Sequence, residues 1–98
     1  MVTFTAAFPH DQDRPQPERL IVTPEGPRPY AGQFDWIAPA TLSGCPATVV
    51  PVGMTATGLP VGLQVMGPMW EDATPITFAG LLAREIGSIP RPIGYDCA

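Results

Sequence analysis

Residues 42–53, LSGCPATVVPVG, and residues 58–67, GLPVGLQVMG, decide how this 98-residue chain folds. Both contain a short apolar run rich in β-branched residues, and such runs are typical of strands buried on both faces. The runs predict strands at residues 47–52 and 59–66. A short loop containing Gly58 joins them, so we expect adjacent strands with antiparallel pairing.

Two prolines constrain where these strands lie in a sheet. Pro51 and Pro60 carry no amide hydrogen, so each belongs at a strand end, at a β-bulge or on a sheet edge. The run at residues 47–52 is apolar on both faces, whereas a single helix covers only one face. The sequence therefore predicts further covering elements: more strands, more helices or another chain.

The stronger of two predicted helices spans residues 72–86. Thr74 is its predicted N-cap, with Pro75 at the first helical position, and Asp72 is the alternative cap. Helical spacing places five apolar residues in one stripe: Ile76, Ala79, Leu82, Ala83 and Ile86. The fold class that follows is α/β, with an antiparallel strand pair and a C-terminal amphipathic helix.

A short second helix is predicted between Tyr30 and Ser43. Pro39 is suited to its first helical position, and Gly44 is suited to its C-terminal end. Residues 1–33 form an irregular, proline-rich segment with one possible short strand at residues 19–23. We therefore divide the chain into residues 1–33 and residues 34–98.

Composition argues against several classes of partner. The net charge of −4 argues against nucleic acid and anionic membrane surfaces as partners. No stretch is long and apolar enough for a membrane span, and the first residues lack the pattern of a secretory signal. We therefore expect a cytoplasmic protein in which Cys45 and Cys97 are free thiols, with a single disulfide as the alternative.

Candidate catalytic residues are few. The chain has one histidine and two cysteines without metal-ligand spacing, so we predict no metal site and no cofactor. A Ser-His-Asp triad from Ser43 or Ser88 with His10 has no support in the spacing, and a Cys45–His10 nucleophile pair is equally weak. We interpret Cys45 as a packing residue and His10 as a surface residue hydrogen-bonded to Asp11.

The opening block closely resembles the C-terminal end of the amidase-signature hydrolases, which has the form aGxPAxxvPvG…GLPVGLQvmG. The resemblance continues around this block. Residues 71–87 are similar to the family's final helix, and residues 5–11 are similar to the segment that returns from the substrate domain. Asp35-Trp36, followed by Pro39, resembles the run before the GxPA block.

This resemblance implies a fold and a chemistry. Such enzymes are α/β/α sandwiches around a mixed sheet, several times longer than this chain. They hydrolyse carboxylic amides with a serine nucleophile, a second serine in a cis peptide and a lysine. Residues 34–98 would then be a C-terminal piece of an amidase domain, and not a complete independent domain.

The chain departs from the family in its catalytic residues. It contains no lysine, and Ser43 and Ser88 match neither catalytic serine. We therefore expect no catalytic residue in this chain and no activity of the chain by itself. Its expected partner is the missing N-terminal amidase portion, or a second copy through self-association, and a small-molecule amide binds only to a complete enzyme. The alternative is a non-catalytic partner module or a truncated remnant without its own activity.

The resemblance also suggests a pocket wall. In the family, the run before the GxPA block borders the acyl-binding channel. Here that run includes four residues that share one face if it is helical: Phe34, Ile37, Ala38 and Thr41. The alternative is that all four are core residues.

Overall fold

Five strands and two α-helices form the part of the chain that this computed structural model describes, which is residues 1–4, 8–87 and 89–95. The strands are β1 (Val2–Phe4), β2 (Leu20–Thr23), β3 (Gly26–Pro29), β4 (Ala47–Met54) and β5 (Pro60–Met66). The helices are α1 (Ala38–Ser43) and α2 (Ala73–Ile86), with 3₁₀ helices at Gln16–Glu18 and Tyr30–Trp36. We call Tyr30–Trp36 the long 3₁₀ helix.

The antiparallel pairing of β4 with β5 is confirmed. Its register runs from Ala47 opposite Met66 to Met54 opposite Pro60, and Gly58 lies in the connecting loop with a φ of 87°. A bulge between Pro51 and Gly53 interrupts the register, and Pro60 is the first residue of β5. Both prolines therefore lie where a missing amide hydrogen is tolerated.

A third strand, β1, pairs antiparallel with the other edge of β5. Val2 lies opposite Val65 and Phe4 opposite Leu63, so the strand order is β1-β5-β4 with β5 in the centre. The sequence predicts only one short strand within residues 1–33, whereas the structure has three among the residues it describes. β1 escapes prediction because three residues are too few to display an alternating pattern.

The other two early strands form a hairpin. β2 corresponds to the strand predicted at residues 19–23, and it pairs with β3 across a turn at residues 24–25. Tyr30 N–H donates to the Arg19 carbonyl at 3.2 Å, which makes that pair hydrogen-bonded. Since hydrogen-bonded and non-hydrogen-bonded pairs alternate, Pro29 and Pro27 fall at non-hydrogen-bonded positions. The GPRP sequence can therefore form a strand despite its two prolines.

The predicted short helix is present as α1. Pro39 is its second residue and not its first as predicted, because the helix begins at Ala38. The helix ends at Gly44, which has a φ of 72° and donates its N–H to the Ala40 carbonyl at 3.0 Å. A left-handed C-terminal glycine is the expected way to end a helix. The long 3₁₀ helix precedes α1, separated from it by Ile37 alone.

The predicted cap of α2 is corrected by the structure. The N-cap is Asp72, the alternative cap of the sequence analysis, so Thr74 and Pro75 are the second and third helical positions. The Thr74 prediction was wrong because a proline is tolerated throughout the first turn, where backbone N–H groups lack intrahelical partners. Within the described part of the chain, Asp72 makes no side-chain capping hydrogen bond.

The predicted apolar stripe of α2 is rotated in the structure. Pro75 and Ala79 are buried, Leu82 and Ala83 are half-buried, and Ile76 is 60% exposed. Phe78 and Leu81, on another side of the helix, are 47% and 53% exposed. α2 packs against β4 and β5 through the face that carries Pro75 and Ala79.

The two faces of β4 differ in coverage. Val50 is 6% exposed, whereas its neighbour Val49, which points to the opposite face, is 58% exposed. The expectation that elements cover both faces is thus met on one face of β4 only within the described residues. None of the helices described in residues 1–4, 8–87 and 89–95 combines the length and apolar character needed to cross a bilayer.

A close contact between Gly67 and Pro75 joins the end of β5 to α2. A Cβ atom on Gly67 would lie 2.5 Å from Pro75 Cδ and 2.9 Å from its Cγ. Pro75 is the largest fully buried side chain among the described residues, and its ring is rigid, so it cannot move aside. Gly67 also donates its N–H to the Pro46 carbonyl at 2.9 Å. Glycine is therefore required by packing at position 67.

Gly67→Ala is expected to lower the free energy of unfolding by roughly 1–3 kcal/mol because of this overpacking. Gly80→Ala is the matched control, since a Cβ at that position would meet no described atom within 4 Å apart from its chain neighbours and the nearby backbone of its own helix. We expect the control to raise stability by roughly 0.5–1 kcal/mol through its helix propensity. Chemical denaturation of both variants measures the difference. Equal effects of the two substitutions would show that the Gly67–Pro75 contact does not constrain the fold.

Candidate functional site

A cleft of about 240 Å³ lies where the long 3₁₀ helix faces the sheet. Phe34 and Ile37, two of the four predicted pocket-wall residues, line it and are 46% and 44% exposed. Its other lining residues come from β1, the long 3₁₀ helix and β5: Thr3, Phe4, Gln33, Trp36 and Gln64. The cleft is thus mostly apolar, with three polar side chains among its walls.

The other two predicted residues lie elsewhere. Ala38 is half-buried and Thr41 is exposed, and neither lines this cleft. The four residues do not share one continuous helical face because the backbone changes from 3₁₀ to α geometry at Ile37. The exposure of Phe34 and Ile37 is too high for core residues of the described chain, and the pocket-wall role of all four stays a prediction.

Phe34 also borders a second cleft. This cleft measures about 300 Å³ and is lined by Gln16, Pro17, Pro29, Tyr30, Ala31 and Phe34. The Phe34 ring meets the Tyr30 ring edge to face, with 6.5 Å between centroids. The same ring therefore lines both cavities.

An aromatic cluster holds the long 3₁₀ helix to the early part of the chain. His10 Nδ1 lies 2.7 Å from the Tyr30 hydroxyl, and the Phe8 ring stacks at 4.7 Å from the His10 ring. The predicted His10–Asp11 hydrogen bond was therefore wrong. Asp11 instead pairs with Arg14 at 3.2 Å and accepts the Asp13 N–H at 3.2 Å.

Gln64 is a buried polar residue that the sequence analysis missed. It is 8% exposed on the central strand β5, and its Nε2 donates to the Trp36 carbonyl at 3.1 Å. The same nitrogen lies 3.5 Å from the hydroxyl of Thr3, its partner across β1 and β5. The available signal was a glutamine within a run of apolar residues, since a buried amide must find hydrogen-bond partners.

Of the chain's two serines and two cysteines, the structure describes Ser43 and Cys45. Ser43 donates its hydroxyl to the Pro39 carbonyl at 2.6 Å and accepts the Cys45 N–H at 3.3 Å, so it closes the C-terminal turn of α1. Cys45 is a half-buried free thiol, while Ser88 and Cys97 lie outside the described residues. Across the described ranges, no three His, Cys, Asp or Glu side chains form a group suited to a metal ion.

Comparison with known proteins connects this architecture to one family. The family model described as Amidase matches residues 2–75, which include all five strands and α1. Fatty acid amide hydrolase of Medicago truncatula is 44% identical over 61 residues, which cover 61% of this chain and 10% of that protein. No solved structure matches this chain.

Two further relatives carry the name of a different enzyme. A glutamyl-tRNA(Gln) amidotransferase subunit of Wolbachia pipientis wMel is 42% identical over 55 residues, covering 56% of this chain and 11% of that protein. Its counterpart in Cereibacter sphaeroides strain ATCC 17029 is 43% identical over 51 residues, which cover 52% of this chain and 10% of that protein. The chain spans about a tenth of the length of these relatives. Because the family model covers most of its residues, the chain belongs to the amidase family.

Proposed function

We propose that this chain supplies late sheet strands and the last helix of an amidase that hydrolyses the C–N bond of carboxylic amides. The observation that carries the proposal is the family match over residues 2–75, which includes the β4–β5 pair. Relatives with hydrolase and amidotransferase names support amide chemistry in general. Which acyl and amine groups the substrate carries is determined by the complete enzyme.

The catalytic groups are proposed to come from residues outside these 98. Ser–Ser–Lys chemistry needs a lysine to activate the nucleophile, and this chain has none. Ser43 is engaged as a helix-terminal hydrogen-bonding group by the Pro39 carbonyl and the Cys45 N–H. This chain would then contribute scaffold and pocket wall, with no proton-transfer or nucleophilic group of its own.

The exposed apolar surface supports a partner of amidase origin. Val49 on β4 and Phe78 with Leu81 on α2 are about half exposed, on elements whose other faces are buried. In the proposed α/β/α sandwich, further strands and helices cover these residues. When that partner is absent, the same surfaces are proposed to mediate self-association.

An alternative is a non-catalytic module that binds a separate partner chain or a remnant without activity. The same exposed residues on α2 favour the module, because they would bind a partner whether or not an active site results. A cytoplasmic location stays a prediction of the sequence.

The isolated 98-residue chain is expected to hydrolyse no amide, because nucleophile activation requires the absent lysine. An aryl-amide assay with purified protein tests this expectation. Ser43→Ala serves as the control for trace activity, since a contaminating amidase would be unaffected by it. Hydrolysis by the wild-type chain that disappears in Ser43→Ala would contradict the proposal.

The pocket-wall proposal concerns Phe34 in a complete enzyme. The test uses a chimaeric amidase, in which this chain replaces the matching segment of the Medicago truncatula fatty acid amide hydrolase. Phe34→Ala is expected to shift the ratio of specificity constants toward longer acyl groups by about tenfold, because removing a ring that lines two clefts enlarges the space in both. Ala38→Phe should shift the ratio in the opposite direction if the α1 part of the predicted wall also borders the channel.

Phe78→Ala is the matched control, since Phe78 has nearly the same exposure as Phe34, 47% against 46%, but lies on α2. It is expected to leave the acyl-length ratio unchanged. If Phe34→Ala lowers the rate with every substrate equally, Phe34 is a stability residue and the pocket-wall proposal is wrong.

A further inference from the structure

The backbone between the long 3₁₀ helix and α1 contains a gap in its hydrogen bonding. In the 3₁₀ pattern, the Ile37 N–H donates to the Phe34 carbonyl three residues earlier, at 3.2 Å. By the same pattern the Trp36 carbonyl would accept from residue 39, which is Pro39 and has no N–H. The first carbonyl to accept a hydrogen bond of the α pattern is the next one, that of Ile37, to which Thr41 N–H donates at 3.2 Å.

A side chain from the sheet supplies the donor that proline lacks. Gln64 Nε2 lies 3.1 Å from the Trp36 carbonyl oxygen, although the two residues are 28 positions apart. Gln64 is 8% exposed and belongs to β5, which is paired on both edges. The carbonyl at the junction is therefore bound to the most constrained strand of the sheet.

We propose that Gln64 is a positioning residue that, together with Pro39, fixes the junction of the long 3₁₀ helix and α1 against β5. Phe34 and Ile37 lie on either side of Trp36 and line the same cleft as Gln64. The hydrogen bond therefore sets the distance between the cleft wall and the sheet. The structural part stands by itself, and the effect on acyl selectivity rests on the proposed function.

Energetics favour a positioning role over simple space filling. A buried amide is costly unless it is hydrogen-bonded, and a methionine of similar shape would occupy the same volume without that cost. The hydrogen bond from Gln64 to the Trp36 carbonyl is one that an apolar side chain cannot make. The two accounts differ in one respect: only positioning makes the effect of Gln64 depend on residue 39.

A double-mutant cycle on the 98-residue chain tests this dependence. Gln64→Met is expected to lower the melting temperature by about 4–8 °C, the shift that the loss of roughly one hydrogen bond causes in a domain of this size. In a Pro39→Ala background, the decrease in melting temperature caused by Gln64→Met should be half as large or less. The reason is that residue 39 then has an N–H that donates to the Trp36 carbonyl. Pro17→Ala is the matched control, since Pro17 also lies in the first turn of a helix. When Gln64→Met is combined with Pro17→Ala, the two changes in melting temperature should be additive.

Gln64→Glu provides a second variant of the same shape. A carboxylate cannot donate to the Trp36 carbonyl, whereas the protonated acid can. The deficit in melting temperature relative to wild type should therefore be larger at pH 8 than at pH 5. Either additive losses in the Pro39 cycle or a pH-independent deficit of Gln64→Glu would overturn the inference.

Selectivity in the chimaeric amidase tests the consequence for the cleft. Gln64→Met should shift the acyl-length ratio in the same direction as Phe34→Ala, and Gln64→Met combined with Pro39→Ala should restore it. Coupled melting temperatures with an unchanged ratio would support the positioning role and contradict the pocket-wall proposal. Uncoupled melting temperatures would overturn the positioning role whatever the ratio does.

Discussion

The pairing of β5 on both of its edges is the constraint on which the other elements depend. β4 and β1 are hydrogen-bonded to it, and Gly67 at its end lets Pro75 of α2 approach closely. Gln64 in its middle binds the Trp36 carbonyl. A shift of β5 by one residue would turn its side chains to the opposite face and would separate these contacts at once. One strand thus fixes the sheet, the helix and the cleft wall together.

The sequence predicts the parts in which local patterns and packing agree. Apolar runs predict the β4–β5 pair, and turn chemistry predicts the end of α1 at Gly44. The missing amide hydrogen of Pro51 predicts its place beside a bulge. Tertiary contacts decide the rest. The buried face of α2 is centred on Pro75 because Gly67 has no side chain. The hydrogen-bond partner of His10 is Tyr30, which lies 20 positions away in sequence.

The candidate site was predictable only in part, for a related reason. Phe34 and Ile37 border a cleft, but Ala38 and Thr41 do not line it, and the backbone changes from 3₁₀ to α geometry at Ile37. Pro39 has no N–H to donate to the Trp36 carbonyl. Gln64 supplies the donor from a distant strand. Helical periodicity cannot reveal such a change of backbone geometry. A lone polar residue within an apolar strand can reveal it, if it is interpreted as half of a hydrogen bond.

The exposed apolar residues of β4 and α2 connect this architecture with the proposed role as a segment of an amidase. Complementation tests that claim most directly: the chain is mixed with the Medicago truncatula relative from which the matching segment has been removed. Our account predicts that amide hydrolysis appears only when both proteins are present and saturates near one chain per enzyme. The account is contradicted if both proteins are folded and form a complex, yet the mixture hydrolyses no amide.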